Sequence, residues 1–155
     1  MTSTTIHVSR AAAADRDAVC DLLRAQFKEH GIDLPDRLVS AGLDGHFADT
    51  SRGAVLVARS ENAIVGFAIL ATTWTVEHGG HVVWLDELYV LPSVRNSGVG
   101  TQLLEHALDT AREMGCLAVD LEVDVEHARA ENLYARAGFR RLPRTRWSLS
   151  LAKTT

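Results

Sequence analysis

The middle of the chain constrains the fold most. Residues 82–91 are an apolar stretch rich in β-branched and aromatic side chains, and Pro92 stops it. A loop with Gly98 and Gly100 follows. From Val99 to Met114, the residues Val99, Leu103, Leu104, Ala107, Leu108, Ala111 and Met114 form one helical stripe, and Gly115 closes it. Next, Leu117, Val119, Leu121 and Val123 alternate with Ala118, Asp120 and Glu122, the period of a strand. Strand, helix and strand in direct succession need a parallel crossover, so the sheet has at least one parallel pair with a helix packed on it.

The flanking segments add antiparallel pieces. Ile6–Ser9 is a short strand candidate. Asp15 is placed to cap a helix that carries Ala18, Val19, Leu22, Leu23, Gln26 and Phe27 on one side and ends at His30-Gly31. Pro35-Asp36 opens a second helix with Leu38, Val39, Leu43 and Phe47. Ala54–Arg59 and Ala63–Trp74 flank the turn Ser60-Glu61-Asn62, a hairpin signal, and Gly79-Gly80 makes the next turn. Ala128–Ala137 reads as a helix closed by Gly138, with strands expected at Phe139–Leu142 and Trp147–Leu151. The order is β α α β β β α β α β β, a mixed α/β sheet.

Composition bounds the class. With 155 residues, 46% hydrophobic and 23% charged, the chain is expected to be one domain, 1–155, with a core that needs no metal or disulfide. Two cysteines without CxxC spacing, no secretory leader pattern and no apolar run of membrane length point to a cytoplasmic protein with no membrane partner. Residues 1–126 hold nine Lys and Arg against nineteen Asp and Glu, whereas residues 127–155 hold seven against one. The net charge of −4 argues against bulk nucleic-acid binding. The split reads either as solvated faces of opposite sign or as a cationic substrate at one end and an anionic cofactor near the other, and charge alone does not choose between them.

The chemistry concentrates after the 82–91 strand. Gly98 and Gly100 let a ligand approach the backbone, the free N–H groups of the helix start point outward, and Arg95 adds a cation. Together they suit a pyrophosphate. A P-loop is disfavoured because Gly100 is followed by Thr101-Gln102, and a dinucleotide fingerprint because Leu103 stands where a third small residue belongs.

Arg95-Asn-Ser-Gly98-Val-Gly100, the preceding Leu88-Tyr89-Val90, and Asn132-Leu-Tyr134-Ala-Arg-Ala-Gly138-Phe139 together resemble the GCN5-related N-acetyltransferase superfamily over residues 82–139. The resemblance implies an α/β fold whose mostly antiparallel central sheet splays between its fourth and fifth strands, with helices on both faces. It implies acetyl-CoA as the acetyl donor. The pyrophosphate would lie on Arg95, Asn96, Ser97, Gly98, Val99, Gly100 and Thr101, and the pantetheine arm along Leu88, Tyr89 and Val90. His127, where many relatives have Asn, and Asn132 are further coenzyme candidates.

Tyr134 is implied as the acid that protonates the departing thiolate. Asp86 and Glu87 are adjacent on a strand and so face opposite sides unless a bulge intervenes. The resemblance places an acidic residue of some relatives at Asp86, to hold or deprotonate a substrate ammonium, with Glu87 as the backup. Phe27 and Glu122 are acceptor-side candidates, and Leu88 N–H is the expected oxyanion donor. His78 and His81 lack a complementary ligand set, so no metal is expected.

The expected function is direct acetyl transfer in a ternary complex to a primary amine of a cationic small molecule. The alternatives are a protein Lys or N-terminal acetyltransferase and a non-catalytic acyl-CoA-binding module. Relatives are often dimers, so a homodimer is the expected assembly.

Overall fold

The computed structural model describes residues 4–124 and 126–152. By contact density the chain divides into two compact units, Met1–Glu122 and Val123–Thr155.

The first unit holds a five-stranded sheet in sequential order: β1 (Ile6–Arg10), β2 (Gly53–Ser60), β3 (Ala63–Thr75), β4 (Gly80–Val90) and β5 (Val119–Asp120). The first four are antiparallel neighbours, and β4–β5 is the expected parallel pair. The β2–β3 hairpin turns at Glu61-Asn62, with Glu61 at φ 54°. β5 is shorter than the alternation of 117–123 suggested. It pairs only through Val83↔Val119 and Trp84↔Asp120, while β4 runs on to Val90. Among the described residues, that leaves the far half of β4 without a strand on its outer edge.

Helices cover both faces. On one side α1 (Arg16–Glu29) and α2 (Asp36–Ala48) pack Val19, Cys20, Leu23, Val39 and Leu43 on Val55, Val57, Phe67, Ile69 and Tyr89. Burying a set of this kind contributes about 1.5–3 kcal/mol per large side chain. On the other side lies α3 (Val99–Glu113), whose buried stripe is Val99, Leu103, Leu104, Ala107 and Ala111. Gly66 leaves room for α3 there. A Cβ on it would sit 3.1 Å from Leu103 Cδ1 and 2.8 Å from the Tyr89 carbonyl oxygen.

Asp15 works differently from the sequence expectation. Its side chain does not cap α1. The carboxylate instead accepts from Ala12 N–H (2.8 Å) and pairs with Arg59 of β2 (2.6 Å), tying the start of α1 to the sheet.

The second unit contains α4 (Ala128–Arg136). Among the described residues, Phe139–Leu142 and Trp147–Leu151 are not strands. A strand exists only where a neighbour's N–H and C=O groups meet it. No helix of the described residues is long and apolar enough to cross a membrane.

Candidate active site

A β-bulge organises the site. Ile69 faces Glu87 but Leu70 faces Leu85, so Asp86 is the extra residue of β4. The bulge changes which backbone groups turn outward. Before it, Val83 N–H and His81 C=O point to β5's side, bonded to Ala118 and Leu117. After it, Leu91 N–H bonds Val65 C=O, which makes Phe67↔Tyr89 a hydrogen-bonded pair by alternation. Leu88 and Val90 therefore turn their N–H and C=O groups to the outer edge of β4, where the Val90 carbonyl accepts from Arg95 Nε. Without Asp86 the parity would be reversed.

The same register sets the side chains. Glu87 and Tyr89 follow Ile69 and Phe67 onto the α1/α2 face. Glu87 is half-buried there, with the Gln26 side chain of α1 facing its carboxylate. Burial pushes the Glu87 carboxyl up to about 7, and the negative Asp86 pushes in the same direction, while the Gln26 amide opposes both. Asp86 itself is exposed. It is also near His46 of α2, whose imidazole is held below its usual range, first by burial; Asp86 opposes this and Arg52 reinforces it. Gln26 Oε1 and His46 Nδ1 are buried without a hydrogen-bond partner. Gln26 and His46 were not singled out from the sequence. The one available signal was a glutamine interrupting the apolar stripe of α1.

The glycine loop has the expected form. Beyond a short 3₁₀ turn at Pro92–Val94, Ser97 Oγ donates to Val94 C=O, and Asn96 and Gly98 take φ 63° and 85°. Gly98 precedes α3, whose first intrahelical bond runs from Gln102 N–H to Gly98 C=O (3.0 Å). The N–H groups of Val99, Gly100 and Thr101 thus have no partner within the helix. No side chain caps this end, and a Cβ on Gly98 would meet nothing within 4 Å. An open cradle of main-chain donors at the positive end of a 15-residue helix fits a pyrophosphate.

Arg95 is less free than the sequence suggested. Its guanidinium pairs with Glu29 at 2.7 and 2.9 Å, and its Nε donates to Val90 C=O at 2.9 Å.

The other candidates lie on other elements. Phe27 lines an open cavity of ≈ 370 Å³ between α1 and α2, with Arg24, Ile32, Asp33 and Leu34; none of the residues at the bulge lines it. Glu122 lies beyond β5, outside any strand, so it belongs to no polar strand face. In the second unit, His127 precedes α4, with Nδ1 3.7 Å from Asp124 Oδ2. Asn132 and Tyr134 are on α4, and the Tyr134 ring meets Phe139 edge-on at 5.7 Å. His78 Nε2 lies 3.3 Å from Asp120 Oδ2. No group of three metal-ligating side chains occurs among the described residues.

Comparison with known proteins agrees with this architecture. Residues 16–139 match the Acetyltransferase (GNAT) family. An uncharacterized N-acetyltransferase of Mycobacterium tuberculosis is 32% identical over 112 residues, 72% of this chain and 69% of that protein. The thialysine N-epsilon-acetyltransferase of Mus musculus is 32% identical over 78 residues, 48% of this chain and 44% of that protein. Among solved structures, AAC(6')-Iy in complex with the bisubstrate analogue CoA-S-monomethyl-acetylneamine superposes with a TM-score of 0.81 at 18% identity, covering 96% of this chain and 99% of that one. With a family match across most of its length and the fold to accompany it, the chain belongs to the GNAT acetyltransferase family.

Proposed function

We propose that this protein transfers an acetyl group from acetyl-CoA to the primary amine of a cationic small molecule, with Glu87 as the general base. Membership of the family makes the chain an acetyl-CoA-dependent N-acetyltransferase. The observation that carries the finer reading is Glu87, a half-buried carboxyl near 7 beside the open edge of β4. A base poised near neutrality combines a useful deprotonated fraction with real basicity. Asp86, exposed beside it, supplies a negative charge suited to an incoming ammonium. This exchanges the roles expected from sequence, where Asp86 came first.

The coenzyme would be held by the main-chain N–H groups of Val99 to Thr101 and by the outward edge of Leu88 and Val90. When bound, it supplies an activated acetyl thioester. Leu88 N–H is directed to the edge where a developing oxyanion needs a donor. Glu87 takes a proton from the amine nitrogen, and Tyr134 donates one to sulfur. His127 and Asn132 are proposed coenzyme contacts, and Phe27 and Glu122 acceptor contacts. Two similar proteins support the amine class through their names: one acetylates thialysine, and another is an aminoglycoside N-acetyltransferase.

The test is a panel of diamines, polyamines, aminoglycosides, amino acids and lysine peptides with acetyl-CoA, read as released thiol. Turnover of small cationic amines above that of peptides is expected; turnover of peptides alone would move the assignment to protein acetylation. Asp86→Asn should raise the KM of the amine more than that of acetyl-CoA. Equal effects on both would remove Asp86 from the acceptor side. Gly100→Val should weaken coenzyme A binding at least tenfold by placing a branched side chain at the cradle, read by calorimetry on folded protein. Unchanged affinity would displace the pyrophosphate from this loop.

A further inference from the structure

The end of α1 meets β4 at two points. Gln26 and Glu29 are three apart on the helix and share a face. Glu87 and Tyr89 are two apart on the strand and share a face as well. The Gln26 side chain faces the Glu87 carboxylate, and Glu29 accepts from the Tyr89 hydroxyl at 3.0 Å. The Glu29 carboxylate is then completed by Arg95, the first residue of the glycine loop, in a two-pronged pair at 2.7 and 2.9 Å. Arg95 also lies over the Tyr89 ring, 5.4 Å from its centre, and its Nε holds the Val90 carbonyl. All five N–H bonds of a guanidinium lie in one plane, so three oxygen contacts and a ring fix its orientation.

We infer that Glu29 is a positioning residue for the coenzyme: by clamping Arg95 against Tyr89 it holds the 95–101 loop in the shape that exposes its main-chain donors, and it fastens that loop to the helix that carries Gln26. The inference rests on the loop being the pyrophosphate site. In this arrangement the Arg95 charge is spent on Glu29, and the pyrophosphate relies on backbone N–H groups. The seam also makes α1 a shared support for the base and the coenzyme loop.

The clamp and a plain electrostatic role predict opposite signs. If Arg95 served as a cation for phosphate and Glu29 merely competed for it, removing the Glu29 charge would tighten binding of a polyanion. The clamp requires the reverse. Coenzyme A is titrated calorimetrically into the wild type and into Glu29→Gln, Glu29→Asp, Arg95→Gln and the double variant Glu29→Gln/Arg95→Gln. The expected result is a Kd about 5–10-fold higher for Glu29→Gln, in line with losing charge-assisted hydrogen bonds. Glu29→Asp keeps the charge but shortens its reach, and it should weaken binding in the same direction. The double variant should be no weaker than Arg95→Gln alone, because one interaction is lost only once. The KM for acetyl-CoA should rise while kcat at saturation stays within about twofold, a split that general unfolding would not produce. Thermal melts without ligand confirm that each variant is folded.

Tighter or unchanged coenzyme binding in folded Glu29→Gln, or additive losses in the double variant, would overturn the clamp while leaving the site intact. A wild-type protein that binds no coenzyme A would overturn the reading of the loop itself, and the clamp with it.

Discussion

Glu87→Gln is expected to lower kcat by about 10²–10⁴-fold, the range associated with losing a general base. The substitution keeps the shape and a hydrogen-bonding partner for Gln26, and it removes only the basic site. Stability should move the opposite way. Burial raises the Glu87 carboxyl from its ordinary value to about 7. The folded state therefore binds this proton more tightly than the unfolded one, and its contribution to stability is lost as pH rises from about 4.5 to about 7. Above that window the wild type holds a partly desolvated carboxylate, which the amide replaces without charge. Thermal melts at pH 8 should show Glu87→Gln at least as stable as the wild type, and melts at pH 5 should bring the two together. A variant that is both inactive and clearly destabilised at pH 8 would mark Glu87 as structural.

Tyr134→Phe carries the second large effect. It keeps the ring that meets Phe139 edge-on and removes only the hydroxyl. If that hydroxyl protonates the departing sulfur, kcat should fall by about 10²–10⁴-fold while coenzyme binding stays nearly intact. A purely structural hydroxyl would instead cost about 1 kcal/mol of stability, with turnover almost unchanged. Full activity with an unaltered pH profile would remove Tyr134 from the mechanism.

The scaffold of the site was legible in the sequence because local signals and tertiary structure agree there. Pro92 ends β4 two residues after Val90, the Val99–Met114 stripe becomes the buried face of α3, and Gly115 follows that helix with φ 74°. The loop was legible for the same reason, since Gly98 adopts a conformation that favours glycine. The choice between Asp86 and Glu87 was not. It depends on a bulge created by pairing with Ile69 and Leu70, some sixteen residues away in sequence, and no local pattern reports pairing register. Glu29 was overlooked because an acidic residue near a helix end reads as solvated. Its role appears only when the fold brings Arg95 to it from 66 residues away. The segments 139–142 and 147–151 show the converse case, where the sequence led us to expect strands that the described residues do not form.

In the proposed reaction, a carboxylate with a neutral-range pKa removes the proton from the acceptor amine. The direct measurement is kcat/KM for a small diamine against pH, in the wild type and in Glu87→Gln. Glu87 acts only when deprotonated, so the wild-type rate should climb with pH up to an inflection near 7, where the carboxyl ionises. Glu87→Gln should lack that inflection and follow only the amine's own ionisation at higher pH. A wild-type profile without an inflection near neutrality, or one that Glu87→Gln reproduces in full, would contradict the account.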